Sequence, residues 1–302
     1  MTIESVSNLA KRQKSDWRKW AKYWSLFTKP SRPSRDDIKI FGKLIDEYIG
    51  SRPNPTIVIL GSTPEFRELC FTYSLRYKAK IICVELIRDI YMGMKKLLDT
   101  SNTMEKGLIC NWLSVELPNE SADVVIGDLT DGNISFNLKT QYYKEIVRVL
   151  KPNGLYITRM AAYPSRTEIT AILTIDQIKS QLIKYCNAML NGDITILEAS
   201  NYLGADMAFY SYYKTNGKRL SYSVYKNEIH TLIEITKDDL LAQQILQLME
   251  KIWGPIKDKH WDYYSLDKTI LNLNIFFKDI KYYFSNDYPV ASLTPIFVMK
   301  KK

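Results

Sequence analysis

The chain has no uninterrupted apolar run approaching the roughly 18 residues that a membrane-crossing helix needs, so a transmembrane segment is not expected. Its first residues hold no apolar signal region, and export is not expected either. Cysteine is scarce: Cys70, Cys83, Cys110 and Cys186 show none of the close pairing that metal sites use. Cys83 lies inside an apolar run, where a free thiol packs as a small hydrophobe. A reduced, cytoplasmic protein without a metal site is the simplest account. Histidine is scarcer still. His230 and His260 are each a candidate general base, because imidazole titrates near neutrality, although a lone histidine is more often structural. No Gly-x-Gly-x-x-Gly turn occurs after the first strand, which argues against a nicotinamide-binding domain.

What is present fits an α/β domain that carries an insertion. The 302 residues are 46% apolar, enough for a large core, and no segment has a disordered composition. The formal charge is +9, which would suit a nucleic acid or an anionic membrane. The lysines are spread along the chain, however, and only residues 11–22 are densely basic, so the charge argues weakly.

The chain is organised around Thr56–Leu69. Thr56-Ile57-Val58-Ile59-Leu60 is an apolar, β-branched run that reads as a buried parallel strand. It stops at Gly61, and a helix start follows: Ser62 or Thr63 can cap it, Pro64 suits the first turn, and Glu65 and Glu68 complement the positive helix end. Strand, glycine turn and helix N-terminus together build a nucleotide-binding edge in α/β folds. The next strand, Lys80-Ile81-Ile82-Cys83-Val84-Glu85, ends on a carboxylate 24 residues after Gly61. An acid at that spacing sits where it can accept both hydroxyls of a ribose; the alternative is a solvated strand-end charge.

Further on come Leu108-Ile109-Cys110-Asn111-Trp112, Asp123-Val124-Val125-Ile126-Gly127-Asp128 and Val149-Leu150-Lys151-Pro152-Asn153-Gly154-Leu155. Taken in order over residues 54–160, these pieces resemble the class I S-adenosylmethionine-dependent methyltransferases, with the Leu-Lys-Pro-Asn-Gly segment the most specific. The family's first motif is an acid followed by several glycines. Here Leu60-Gly61-Ser62-Thr63-Pro64 has one glycine and no acid. The resemblance implies a Rossmann-like three-layer α/β sandwich whose seven-stranded, mostly parallel sheet closes with an antiparallel hairpin. It implies S-adenosyl-L-methionine as cofactor, with Gly61, Ser62 and Thr63 at the turn, Glu85 on the ribose, Asn111 and Trp112 on the adenine, and Asp128 near the sulfonium and amine. Asp128 could also orient a nucleophile or take its proton. Asp131 and Asn133 read as turn residues. The loop after the fourth strand has no Asn/Asp-Pro-Pro-aromatic segment and no Pro-Cys pair, which disfavours two nucleic-acid methylation chemistries.

The flanking segments read as follows. Residues 5–27 form a basic amphipathic helix with Trp17, Trp20, Trp24 and Phe27 on one face: a packed helix, a membrane-surface helix or a lid over the ligand. Residues 30–37 are a rigid connector ending in a cap at Ser34 or Asp36, and Arg32 and Arg35 could reach an anionic ligand. Residues 161–270 are expected to be a helical cap, with an aromatic stretch containing Tyr202, Phe209, Tyr210, Tyr212, Tyr213, Tyr222 and Tyr225 as walls of a substrate pocket or as plain core. His260-Trp261-Asp262-Tyr263-Tyr264 is the densest polar-aromatic cluster. Asp279–Phe284 and Pro295–Met299 read as the closing hairpin. The expected organisation is thus 1–53 as N-terminal helices and lid, 54–160 with 271–302 as cofactor core, and 161–270 as cap. The expected activity is methyl transfer to a small molecule, with RNA as acceptor and a non-catalytic scaffold as the other classes left open.

Overall fold

A computed structural model describes residues 23–302 apart from 51, 100–103, 165–173, 215–219, 254–259 and 262. Its centre is a seven-stranded sheet in the order β3-β2-β1-β4-β5-β7-β6, built from β1 (Thr56–Leu60), β2 (Lys80–Glu85), β3 (Glu105–Ile109), β4 (Ala122–Asp128), β5 (Leu150–Arg159), β6 (Phe277–Tyr283) and β7 (Ile296–Lys301). The first five strands run parallel; β7 enters between β5 and β6, antiparallel to both. The expected fold is present, including the closing antiparallel pair.

Side chains alternate across β1. Ile57 and Ile59 meet Phe41, Ile45, Phe66 and Cys70 of α1 (Arg35–Ile49) and α2 (Pro64–Tyr77) on one face. Val58 and Leu60 meet Tyr142, Ile146 and Leu273 of α4 (Lys139–Val149) and α9 (Leu266–Phe276) on the other. Such two-sided burial is why the strand reads as one unbroken apolar run. Each of these aliphatic side chains contributes about 1.5–3 kcal/mol on leaving water.

The connector before α1 ends in a full capping box: the Ser34 hydroxyl accepts from Asp37 N–H, and the Asp37 carboxylate accepts from Ser34 N–H. At α2 the expected side-chain cap is not formed. Thr63 stands at the N-cap without a side-chain hydrogen bond, and the Ser62 hydroxyl turns to Glu85 instead. After α3 (Arg88–Lys95) comes β3, and Asn111 and Trp112 lie just beyond its end.

Between β5 and β6 come α5 (Ile175–Leu190), α6 (Ile196–Lys214), α7 (Tyr222–Ile235) and α8 (Leu240–Trp253), followed by α9. The four helices before α9 share a core with Tyr163 and the Tyr288–Leu293 segment. Tyr202, Tyr210 and Tyr212 lie in that core, so the plain-packing alternative holds for them. Residues 1–22, including Trp17 and Trp20, lie outside the described residues; Trp24–Leu26 form a single 3-10 turn.

Candidate functional site

β1 and β4 are neighbours whose following connections leave in opposite directions, to β2 on one side and β5 on the other. A sheet of this kind opens a crevice at the carboxyl ends of those two strands. A cavity of about 210 Å³ lies there. Its floor includes Leu60, Gly61, Ser62 and Thr63 after β1, Glu85 and Ile87 after β2, Asn111 and Trp112 after β3, and Asp128 to Thr130 after β4. Every residue assigned to the cofactor from the sequence lines this one cavity. The roof is made by Trp24 and Phe27, by Gly204 and Ala208 of α6, and by Trp253, Trp261 and Tyr263.

Gly61 has φ +86°, a conformation that L side chains rarely take, and its N–H donates to the Val84 carbonyl at 2.9 Å. The turn therefore hugs β2 and stays open toward the cavity. A Cβ on Gly61 would also meet the Trp112 ring at 3.6 Å. Trp112 is fixed by its indole N–H, which donates to the same Val84 carbonyl at 3.0 Å. Asn111 is less free than expected: its side-chain oxygen accepts from Leu113 N–H at 3.0 Å, leaving one lone pair for a ligand.

Glu85 is buried at the end of β2. It accepts from Ser62 Oγ at 3.2 Å and from Ile87 N–H at 3.2 Å. Burial pushes its carboxyl up to about 7, against the lowering effect of those donors and of the more distant Arg67. No cation within hydrogen-bonding reach neutralises it among the described residues. A carboxylate kept this dry without a cation still has lone pairs beyond those two bonds, and two hydroxyls of a sugar would fill them.

Asp128 is tied down differently. Arg159 stands beside it in the sheet register and donates from Nε to Asp128 Oδ1 at 2.8 Å. The same guanidinium donates from Nη1 to Asp37 Oδ2 at 2.9 Å and to the Arg32 carbonyl at 3.2 Å. The Arg159 side chain is fully buried. Burial pushes the Asp128 carboxyl up to about 6 while Arg159 opposes it, so the acid is ionised at neutral pH. Oδ1 is held from behind, and Asp128 itself lines the cavity. Leu129 follows with φ +51°, an unusual backbone for a leucine and of the kind that gathers at functional turns.

The remaining sequence candidates are distributed as follows. Arg32 pairs with Glu65 at 2.5 Å and lies 5.5 Å from the Trp24 ring centroid, while Arg35 is exposed. His230 sits exposed on α7 with its Nε2 3.1 Å from Glu250, and it does not line the cavity. His260 forms a two-residue strand with Trp261 against Leu220–Ser221; its side chain and Asp262 fall outside the described residues. Asp131 is buried against Lys139 and the Tyr143 hydroxyl, a structural pair, whereas Asn133 lines the cavity. Gly132 lets Tyr263 in: a Cβ there would fall 2.3 Å from its Cε1. Among the described residues no group of three His, Cys, Asp or Glu is placed to hold a metal ion.

Neither a protein-family model nor a curated protein matches the sequence. Solved structures do match. A Burkholderia thailandensis 1,6-didemethyltoxoflavin-N1-methyltransferase, with 1,6-didemethyltoxoflavin and S-adenosylhomocysteine bound, superposes over 100% of this chain and 91% of its own, with TM-score 0.51 and 9% identity. The fold is that of the class I S-adenosylmethionine-dependent methyltransferases. The PH0226 protein of Pyrococcus horikoshii matches at TM-score 0.50 and 12% identity, over 92% of this chain and 93% of that one. A Rhodobacter sphaeroides protein described as a putative zinc-dependent alcohol dehydrogenase matches at TM-score 0.55 and 10% identity, over 96% and 99%. At such identities the likeness speaks for the methyltransferase fold alone. The β3-β2-β1-β4-β5-β7-β6 order and the antiparallel β7 fit that fold throughout.

Sequence reasoning missed Arg159, Asn133 and the roof positions Gly204, Ala208 and Trp253. One signal was available. Arg159 closes the apolar run Leu155-Tyr156-Ile157-Thr158, and a charge at a buried strand end must find a partner.

Proposed function

We propose that the protein binds S-adenosyl-L-methionine in this cavity and transfers its methyl group to a small-molecule nucleophile. The observation that carries the reading is Glu85: a buried carboxylate with no hydrogen-bonded cation among the described residues, on the cavity floor and at the strand end where a ribose is held in this fold. In this reading Glu85 accepts both ribose hydroxyls. Trp112 and Asn111 hold the adenine, the ring by its face or edge and the amide by its free lone pair. Gly61 lets the turn approach, and the N-terminus of α2, without a side-chain cap, favours the cofactor's carboxylate. Asp128 complements the cationic amine and sulfonium with a charge kept in place by Arg159.

When bound, the cofactor supplies a methyl group on a cationic sulfur, which is electrophilic without further activation. The chain's own work is alignment and exclusion of water: the strand ends fix one partner, and residues 161–270 act as a cap that encloses the other. That one solved neighbour is a small-molecule methyltransferase supports the choice of acceptor. Calorimetric titration with S-adenosylmethionine and S-adenosylhomocysteine tests the reading. Micromolar binding is expected, lost in Glu85→Ala. Absence of binding in the unmodified protein would leave a scaffold with a methyltransferase fold.

A further inference from the structure

The cavity roof is rich in large aromatic rings. Trp24 lies 5.9 Å from Phe27, Phe27 lies 5.7 Å from Trp253, and Trp253 lies 6.1 Å from Trp261, ring centroid to centroid. The four rings form one continuous, tilted array over the floor. They come from three separate places in the sequence, so the array exists only in the folded chain. Helix α6 passes the cavity with Gly204 and Ala208, the smallest side chains available, which leaves room between the helix and the rings.

The charges are as informative as the rings. The chain carries 42 lysines and arginines, yet none is among the described residues lining the cavity. Glu85 and Asp128 are the lining acids, and both stand on the floor at the strand ends. Tyr263 is partly buried, and desolvation pushes its hydroxyl well above the usual range, so it stays neutral. A phosphate or carboxylate placed under the rings would lose its water, find no cation among the described lining residues and face two carboxylates.

We infer that the methyl acceptor is a flat, uncharged ring compound that lies against the Trp24–Phe27–Trp253–Trp261 array. This inference rests on the methyltransferase reading above. Aromatic rings prefer offset or edge-to-face neighbours at 4.5–7 Å, and the array lines the cavity in which such a ring would sit. Transfer then needs little acid–base chemistry. A lone pair on the acceptor's nitrogen or oxygen forms the new bond to the methyl carbon; the carbon–sulfur bond breaks and its electron pair stays on sulfur as a neutral thioether. Any proton on the acceptor atom leaves to Asp128 or to water.

The test is saturation-transfer NMR on protein loaded with S-adenosylhomocysteine, using matched pairs such as quinoline with quinoline-4-carboxylate and indole with indole-3-carboxylate. The neutral member of each pair is expected to bind at least tenfold more tightly. Trp261→Leu should weaken the neutral members at least fivefold. Ala208→Lys places a cation in the roof and should shift the preference toward the carboxylates. Calorimetry with S-adenosylhomocysteine separates the two readings: without cofactor binding the methyltransferase reading itself fails. With cofactor bound, carboxylates binding as well as their neutral partners, or no neutral member binding up to millimolar concentration, overturns the inference. Ala208→Lys leaving the preference unchanged overturns it as well.

Discussion

Glu85→Gln should stabilise the ligand-free protein and weaken cofactor binding at once. The folded-state carboxyl is pushed up to about 7 from an ordinary 4.5, chiefly by burial. A carboxyl raised on folding lowers stability as pH rises, because the unfolded chain releases its proton first. By that linkage the wild-type residue costs about 1 kcal/mol at pH 5 and about 3 kcal/mol at pH 8. Glutamine has the same shape and no such cost; its carbonyl oxygen can keep the hydrogen bond from Ile87 N–H, and its amide nitrogen can donate to Ser62 Oγ in place of the bond that hydroxyl gave. Urea unfolding at the two pH values reads the difference: the variant's advantage should grow by about 2 kcal/mol from pH 5 to pH 8. Calorimetry on the same samples should show S-adenosylmethionine affinity falling at least tenfold. An advantage that is flat with pH, or a variant less stable at pH 8, would refute the placement of a buried, uncompensated carboxylate at this strand end.

Other perturbations probe the supports of the site. Arg159→Met leaves Asp37 and Asp128 buried without their shared cation and should cost about 3–5 kcal/mol in urea unfolding, part of it recovered by adding Asp37→Asn. Gly132→Ala forces a Cβ toward Tyr263 and should cost about 1–3 kcal/mol, a cost that shrinks in a Tyr263→Ala background when measured as a double-mutant cycle. Gly61→Ala must hold φ near +86°, costing about 1–2 kcal/mol, and should weaken cofactor binding in the same calorimetric assay. With Glu85 near 7 and Asp128 near 6, cofactor affinity should fall as pH drops from 8 to 5, and the Glu85→Gln variant should lose the upper part of that dependence.

The floor of the cavity was legible in the sequence because each piece of it is local. A strand that ends at Gly61, one that ends at Glu85 and one that ends at Asp128 each announce themselves by an apolar run followed by a break. Parallel strands then bring those breaks to one edge of the sheet, whatever lies between them. The roof obeys no such rule. Trp253 ends α8 with the appearance of an ordinary core residue, and Gly204 and Ala208 sit in a helix whose tyrosines draw the eye first. Tyr202, Tyr210 and Tyr212 lie in the core shared by α5 to α8, and the rings over the cavity come from segments far apart in the chain. Local periodicity fixes which residues are buried. It does not say against what.

The Arg159 network joins roof and floor. Its guanidinium bonds Asp128 on the floor and, on its other side, the Arg32 carbonyl and the Asp37 carboxylate of the segment leading into α1. Ser285 and Tyr288 from the loop between β6 and β7 donate to Asp37 as well, so three distant segments close on one buried cation. The Arg32 side chain continues outward to Glu65 and the Trp24 ring. The aromatic segment at Trp24–Phe27 is therefore anchored at its downstream end by the group that holds Asp128. Removing that cation should loosen both walls together. A variant that weakens ligand contact at Asp128 while leaving the Trp24 environment unchanged, read by fluorine NMR of fluorotryptophan-labelled protein that keeps all its tryptophans, would show that the two are independent.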